Sequence, residues 1–316
     1  MNQTSGKPKI EEISHRPIQD DGDFWRIREL LQETYPITPL CFNWEVRRWD
    51  GRRFYNADPA WENSRTGVGQ MWETEDGRLI GAIHPEGKGD AHLQIHPNYR
   101  HIEAEMIAWA EANLTAPTDE GVQRLDIFVH EYDTTRQQLL AQRGYEKMPW
   151  SGVSRRLRFD AKTPIEQPAM AADYTLRTTQ PEDEDDCQRL ADLLNAAFNR
   201  DFHVGAEYQT FARLAPSFRQ ELDLVAVGPD GLFASYVGIP YDEATRHGIF
   251  EPVCTHPDHQ RKGLARALML EGLHRLKALG AQDVTVETGD MIPANRLYDG
   301  LGFTETSKGF VWRKTP

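Results

Sequence analysis

The sequence predicts an α/β protein made of two tandem domains, each a mixed sheet with helices packed on it. Its 316 residues exceed what one compact domain usually needs. The same order of strands and helices occurs twice along the chain. Residues 163–173, rich in proline and small side chains, separate the two copies as a linker does. We therefore expect one domain at residues 10–160 and a second at residues 173–316.

In the first half, apolar side chains alternate in the candidate strands and recur every three or four positions in the candidate helices. This pattern predicts strands at residues 12–16, 67–72, 79–84, 92–96 and 125–129. It predicts helices from residue 24 onward, at residues 102–114, and in a short segment that ends at residues 143–144.

The second half repeats that order. Strands are predicted at residues 174–177, 222–227, 232–239, 248–255, 284–287 and 303–312. Carboxylates at residues 182–186 favour a helix start, because the positive end of the helix dipole attracts negative charge there. A long helix at residues 264–279 ends at Gly280, as expected of a C-cap glycine, and a further helix ends at residues 299–300.

A nearly constant offset relates the two halves. Pro97 and Pro257 are 160 positions apart, and Gly144 and Gly302 are 158 apart. Such a register predicts a tandem duplication. The alternative, two unrelated α/β domains in series, remains open at this stage.

The composition excludes several classes of function. Lys plus Arg number 36 against 49 Asp plus Glu, which gives a net charge of −13 and makes nucleic acid a poor partner. No apolar run approaches the roughly 20 residues that cross a bilayer, and residues 1–8 lack the apolar core of a secretory signal. The three scattered cysteines do not form a disulfide framework. We expect a cytoplasmic monomer or homodimer without nucleic-acid or membrane partners.

The segment at residues 250–268 carries the clearest chemical signal. A predicted strand there ends in a basic turn that opens directly into a helix. Unpaired backbone N–H groups and the positive dipole end make a helix N-terminus an anion site. Gly263 permits close backbone approach, Arg261 and Lys262 add positive charge, and Ala265 keeps the first turn open. These residues predict a phosphate-binding site.

Two motifs in this region resemble those of the GNAT acetyltransferase superfamily. Residues 260–265 match its acetyl-CoA loop, Gln/Arg-x-x-Gly-x-Gly/Ala, and residues 297–303 match its Leu-Tyr-x-x-Leu-Gly-Phe motif. The tandem arrangement is similar to that of the mycothiol synthase family. The resemblance implies two GNAT-like domains and acetyl-CoA as co-substrate, without a metal. One departure is Met291, at a position where the superfamily often has asparagine; Asn295 lies nearby.

The resemblance also implies how the co-substrate binds. The strand at residues 253–255 pairs with the pantetheine amides through its backbone, and a backbone N–H there polarises the thioester carbonyl. The loop and the first helical turn hold the pyrophosphate. The implied cofactor-binding residues are Val253, Cys254, Thr255, Gln260, Arg261, Lys262, Gly263, Leu264, Ala265 and Arg266.

The resemblance implies the general acid, and position on the predicted strand suggests the base. Tyr298 occupies the position of the general acid, and a phenol with a pKa of ~10 is well matched to a leaving thiolate. Glu251 is the candidate base for the attacking amine, directly or through water; on a regular strand it shares a face with Val253 and Thr255. The competing bases are His247, Asp242, Glu243 and Glu287.

The first half lacks the residues of this site. In the register of the duplication, Gly263 and Ala265 correspond to Glu103 and Glu105, whose charges repel a pyrophosphate. Tyr298 corresponds to Leu140. We therefore expect a degenerate first domain that neither binds acetyl-CoA there nor catalyses transfer. The histidines at positions 92, 96 and 101 do not suggest a metal site, since strand positions four apart are ~13 Å apart.

The acceptor is less defined. Residues 198–203 are our candidate for an acceptor-contacting loop. The aromatic and arginine-rich stretch at residues 44–61 either shapes a pocket or an interdomain face, or forms ordinary core and surface. We expect an N-acetyltransferase acting on a primary amine of a small molecule. The alternatives are a non-catalytic acyl-CoA sensor, an enzyme that acetylates a protein amine, and an O-acyltransferase.

Overall fold

The structure, a computed structural model, describes residues 12–58, 60–61, 67–118, 120–160, 164–289 and 291–315. The predicted tail at residues 1–8 lies outside the described residues. The α/β class and the duplicated order of elements are confirmed. Within the described ranges, no helix is long and apolar enough to cross a bilayer.

The first half contains seven strands and four α-helices in its described residues. The strands are β1 (Ile13–Pro17), β2 (Gln70–Thr74), β3 (Leu79–His84), β4 (Asp90–Ile95), β5 (Ala116–Pro117), β6 (Gln123–His130) and β7 (Glu146–Arg158). The helices are α1 (Asp21–Thr34), α2 (Val46–Phe54), α3 (Glu103–Asn113) and α4 (Thr134–Gln142).

The second half follows the same plan. Its strands are β8 (Thr175–Thr178), β9 (Asp223–Val227), β10 (Phe233–Gly238), β11 (Tyr241–Asp242), β12 (His247–Ile249), β13 (Val253–Thr255), β14 (Asp283–Gly289) and β15 (Glu305–Lys314). Its helices are α5 (Glu184–Phe198), α6 (Gly205–Leu214), α7 (Leu264–Ala278) and α8 (Ile292–Gly300).

The two halves exchange their last strands. The long sheet runs β1-β2-β3-β4-β6-β15-β7-β14-β12-β11, so β15 of the second half lies between two strands of the first. Phe310 on β15 pairs with Val129 on β6, and Ser154 on β7 pairs with Glu287 on β14. Each half thus covers a strand edge of the other, and neither half completes its sheet alone.

The prediction of one continuous strand at residues 248–255 is wrong. The chain forms two short strands, β12 and β13, separated by residues 250–252. Strand β12 pairs in parallel with β14 in the long sheet, whereas β13 pairs with β10 in a separate sheet ordered β13-β10-β9-β8. Proline has no backbone N–H to donate to a ladder, which suits it to this break. Glu251 therefore does not lie on one regular strand with Val253 and Thr255, which corrects the expectation from the sequence.

Sheet register shows where the second half has more residues than the first. Asp90 on β4 and His247 on β12 start equivalent parallel pairings and are 157 positions apart. The prolines that follow, Pro97 and Pro257, are 160 apart. The second half therefore has three more residues between these points, and the strand break falls among them. Glu251 lies within this insertion.

Two helices were not predicted from the sequence. Helix α2 lies in the arginine-rich stretch, where it buries Val46, Trp49 and Phe54, and helix α6 follows the proposed acceptor loop. Phe211 on α6 packs in the same core cluster as Trp49 on α2. These helices join the halves, and hydrophobic periodicity was masked in α2 by its four arginines.

Candidate active site

An unpaired strand edge lies where β13 leaves the long sheet. The His256 N–H donates to Ala234 O at 2.9 Å, and hydrogen-bonded pairs alternate along an antiparallel ladder. In the register of β13 and β10, His256 and Cys254 are therefore the residues bonded to β10. The backbone N–H and C=O groups of Val253 and Thr255, at the alternate positions, point to the edge away from β10. The Cys254 side chain is buried on the core side. In the described chain, β13 has a partner on one edge only.

The predicted phosphate loop has the geometry that anion binding needs. Gly263 has φ +76° and no heavy atom within 4 Å of an ideal Cβ position, so the space above it is open. Arg261 also has a positive φ, of 61°. Helix α7 starts at Leu264 without a side-chain cap, whereas the Asp183 side chain caps α5. The first N–H groups of α7 therefore remain available to an external anion.

The side chains of the loop differ in what they can contribute. Lys262 Nζ donates to the Tyr174 hydroxyl at 2.9 Å, which holds the ammonium beside the loop. Arg266 forms a two-pronged ion pair with Glu166, at 2.7 and 3.0 Å. The Leu264 side chain is buried in the core, so only its backbone faces the loop. Of the ten predicted cofactor residues, several thus offer backbone groups rather than side chains.

Tyr298 lies on α8, buried in the core of the second half. Its ring centroid is 6.1 Å from that of Phe303, and Val253 packs on the same cluster. Burial raises the pKa of Tyr298 to about 12, against the opposing charge of Arg155. The phenol therefore keeps its proton at neutral pH. Asn295, on the same helix, accepts a 2.9 Å hydrogen bond from Arg155.

Glu251 is the predicted base, and its side chain is 43% exposed. Its Oε2 lies 3.5 Å from Arg47 Nε on helix α2 of the first half. Glu251 lines two neighbouring cavities described below. Tyr298 lines neither of them; it belongs to the core cluster against which Val253 of β13 packs.

His247 is not suited to act as a base. Its Nδ1 lies 2.7 Å from Asp283 and 2.7 Å from the Tyr35 hydroxyl, and its Nε2 lies 3.4 Å from Glu45. Burial favours the neutral ring, but the two carboxylates outweigh it and raise the pKa of His247 to about 9. The ring is therefore protonated at neutral pH and belongs to a buried ionic network.

Of the three other candidate bases, two are paired with arginines and one lines the larger cavity. Asp242 is buried and paired with Arg28 at 3.1 Å, and the exposed Glu243 pairs with Arg219 at 2.8 Å. Neither carboxylate lines the two cavities that Glu251 lines. Glu287 instead lines the larger cavity, so it is the alternative to Glu251 that the structure retains.

A cavity of about 500 Å³ lies between the two halves. The first half supplies most of its wall, from the segment at residues 41–48, strands β4 and β6, and residues 152–154 of β7. The second half adds Ile249, Glu251 and residues 287–289 of β14. The sequence did not single out Glu45, although it lies in the stretch for which a pocket or an interdomain face is one of the alternatives.

A second cavity, of about 380 Å³, adjoins the first. Arg200, Phe202 and His203 of the proposed acceptor loop line it, opposite arginines of α2. Glu251 lines both cavities and so marks their junction. The acceptor loop is thereby brought next to the proposed base.

The loop of the first half that corresponds to the phosphate site is filled by protein charges. Helix α3 begins at Glu103, which is buried and accepts hydrogen bonds from Arg100 at 2.5 Å and Arg136 at 3.0 Å. Glu105 accepts from the Trp72 indole at 2.8 Å. No group of three His, Cys, Asp or Glu side chains in the described ranges is placed to hold a metal.

Comparison with known proteins adds sequence and fold relationships. A family model described as the Acetyltransferase (GNAT) family matches residues 187–303. A protein of Actinosynnema mirum named mycothiol acetyltransferase is 31% identical, over 76% of this chain and 81% of its own. A protein of the same name from Frankia casuarinae is 28% identical, over 72% of this chain and 69% of its own.

Solved structures share the whole fold. A GCN5-related N-acetyltransferase from Sphaerobacter thermophilus superposes with a TM-score of 0.66 at 17% identity, covering 96% of this chain and 95% of its own. A tandem GNAT protein from the clavulanic acid biosynthesis pathway also gives 0.66, at 19% identity, covering 96% and 98%. Both coverages include the two halves, so the likeness extends to the tandem arrangement.

Proposed function

The chain belongs to the GNAT acetyltransferase family, as a tandem member, and on that basis we propose that its second half transfers the acetyl group of acetyl-CoA to a primary amine of a small molecule. The observation that carries the proposal is the open edge of β13, which leads into the uncapped start of α7 at Gly263. A strand-like pantetheine and a diphosphate need these two features in this order.

The co-substrate is held mainly by backbone. The pantetheine amides pair with the free N–H and C=O groups of Val253 and Thr255, as an added strand would. The pyrophosphate binds the N–H groups at residues 263–266, where Gly263 allows close approach. Lys262 and Arg261 add positive charge at the exposed side of the loop.

The reaction proceeds by direct attack. The acceptor ammonium loses a proton to Glu251, directly or through water, and its nitrogen bonds to the thioester carbonyl carbon. The carbon–sulfur bond then breaks, and the departing CoA thiolate takes a proton from Tyr298. The second proton of the nitrogen, lost as the amide forms, passes directly or through water to the Tyr298 phenolate. A backbone N–H at the open edge of β13 stabilises the developing oxyanion. The products are the acetylated amine and free CoA.

The acceptor binds in the cavity between the halves. Its volume of about 500 Å³ suits a small molecule, and its walls come from both halves. In this proposal the first half, residues 10–160, does no chemistry: the buried carboxylate of Glu103 stands where a pyrophosphate would bind. Its role is to supply the wall of the acceptor site.

Two measurements on the full-length protein test the proposal. Titration calorimetry with CoA and acetyl-CoA is expected to give one saturable site per chain. Release of free thiol from acetyl-CoA is expected in the presence of at least one member of a panel of primary amines. Saturable binding of two equivalents would contradict the assignment of the site to the second half alone, and no binding would overturn the proposal.

A further inference from the structure

The wall of the 500 Å³ cavity carries an excess of negative charge. Seven carboxylates and two guanidinium groups line it. Its two histidines, His92 and His130, are neutral, since burial lowers the pKa of both. The excess raises the question of which carboxylates lack a positive partner.

Five of the seven carboxylates have a guanidinium or backbone N–H partner within the protein. The pairs with a guanidinium are Glu86 with Arg48 (3.0 Å), Asp126 with Arg313 (2.7 Å), Asp133 with Arg100 (2.7 Å) and Glu251 with Arg47 (3.5 Å). Asp90 accepts two backbone N–H groups, at 2.7 and 2.8 Å. The second guanidinium of the wall, that of Arg136, is bonded to Glu103. Two carboxylates are left, those of Glu45 and Glu287.

Among the described residues, the hydrogen-bond donors to Glu287 are neutral. Its Oε1 accepts hydrogen bonds from the Ser154 hydroxyl at 2.8 Å and from the Cys41 thiol at 3.0 Å. Both come from the first half, across the strand exchange. Two neutral donors orient the carboxylate without neutralising its charge, and the nearby guanidinium of Arg48 is hydrogen-bonded to Glu86 instead.

Glu45 is 7% exposed and has one oxygen without a partner. Its Oε1 accepts from Thr285 Oγ1 at 2.6 Å and faces His247. Its Oε2 is buried and receives no hydrogen bond from the described residues. The single charge of His247 is shared with Asp283, and burial raises the pKa of the Glu45 carboxyl despite it. A buried carboxylate oxygen left in this state is costly unless a donor binds it.

Both carboxylates lie on one wall. Thr285 and Glu287 are two positions apart on β14, so their side chains point to the same face, with about 7 Å between their Cα atoms. Glu45 rests on Thr285, beside Glu287. Both residues line the cavity, so their carboxylates can contact one ligand there.

We propose that Glu45 and Glu287 form a subsite for a protonated amine, and that the acceptor is a small polyamine. One amine of the acceptor is acetylated at Glu251, while a second, still protonated, binds at Glu45 and Glu287. This inference rests on the proposed function and names its substrate class. The ammonium supplies the donors that the two carboxylates lack.

The rest of the wall suits the carbon chain between two amines. Phe42, Trp44, Leu93, Phe128 and Tyr132 line the same cavity. Aromatic faces pack on methylene groups and attract ammonium groups. An acceptor with an anionic group in place of the second amine would instead be repelled by Glu45 and Glu287.

Calorimetry on the full-length protein saturated with CoA tests the subsite without requiring turnover. The probes are 1,4-diaminobutane and spermidine, each compared with butylamine as a matched monocation. We expect the diamine to bind about tenfold or more tightly than butylamine. Glu45→Gln and Glu287→Gln are each expected to remove most of that preference, whereas Glu243→Gln, a surface carboxylate outside the cavity, keeps it.

Each outcome decides between the two proposals. CoA binding with no preference for the diamine, or a preference unchanged in both cavity variants, overturns the subsite and leaves the acetyltransferase assignment standing. Absence of CoA binding overturns both. Glu287 is exposed, so Glu287→Gln retains the fold even if the buried Glu45→Gln does not.

Discussion

Glu45, at the start of helix α2 in the first half, accepts a 2.6 Å hydrogen bond from Thr285 on strand β14 of the second half. The contact joins the half without the phosphate loop to the half that has it. In the proposed function it also gives the first half a role, since Glu45 and its neighbours line the cavity assigned to the acceptor.

Substitution of Gly263 is expected to weaken CoA binding. Gly263→Ala introduces a Cβ into the open space at the start of α7 and strains a residue with φ +76°. The strain costs about 1 kcal/mol of stability, and blocked backbone approach reduces CoA affinity about tenfold or more. Calorimetry and urea unfolding measure the two effects.

Gly280→Ala is the matched control for that experiment. Gly280, at the other end of α7, has φ +78° and the same open surroundings. It should lose similar stability while CoA affinity is unchanged. Equal losses of CoA affinity in the two variants would contradict a specific role for Gly263.

Removal of the Tyr298 hydroxyl is expected to slow the chemical step. Tyr298→Phe keeps the packing on Phe303 but removes the proton donor, so kcat should fall about 10²-fold with little change in the Kd for CoA. Steady-state kinetics and calorimetry separate the two quantities. Tyr241→Phe, at another buried tyrosine of the same core, should leave kcat unchanged. Wild-type kcat in Tyr298→Phe would remove its assigned role.

Glu251→Gln is expected to lower kcat by about 10²-fold, because the acceptor ammonium loses its proton acceptor. Glu243→Gln, exposed and paired with Arg219, serves as the control. Measurement of kcat at saturating acceptor in Glu251→Gln and in Glu287→Gln shows which of the two carboxylates is the base. Should Glu287→Gln lose kcat while Glu251→Gln keeps it, Glu287 is the base instead.

The exchanged strands predict that the two halves unfold together. Seven of the eight tryptophans lie before residue 160, so their fluorescence reports on the first half. Labelling of the buried Cys187 and Cys254 reports on the second. Because β7 and β15 each complete the other half's sheet, both probes should give one urea midpoint. Two separate midpoints would show that the halves are independent.

The buried His247 predicts a loss of stability at alkaline pH. Its pKa is raised from 6.5 to about 9 in the folded protein, so its contribution is complete below pH 6.5 and disappears as the pH rises to about 9. The shift corresponds to about 3 kcal/mol of unfolding free energy. Urea unfolding at pH 6 and pH 9.5 measures it. His247→Gln should flatten this dependence; an unchanged slope would exclude His247 as its source.

The sequence alone determined the fold class and the duplication, and it predicted the phosphate loop. These features are local: Gly263 in its basic turn and the periodic apolar positions are readable within a short window of residues. The absence of this loop sequence from the first half is also visible within a short window, since Glu103 stands at the position that corresponds to Gly263.

Tertiary structure alone decided where the strand breaks and what surrounds the acceptor. The break at Pro252 follows from competition between β14 and β10 for one segment, and the strand exchange depends on pairings more than 100 residues apart. Glu45 looked like one charge in an arginine-rich stretch, yet it lies against Thr285, 240 residues away. Residue patterns report short-range periodicity, whereas a site between two halves depends on which distant surfaces meet, and that is set by the packing of the whole chain.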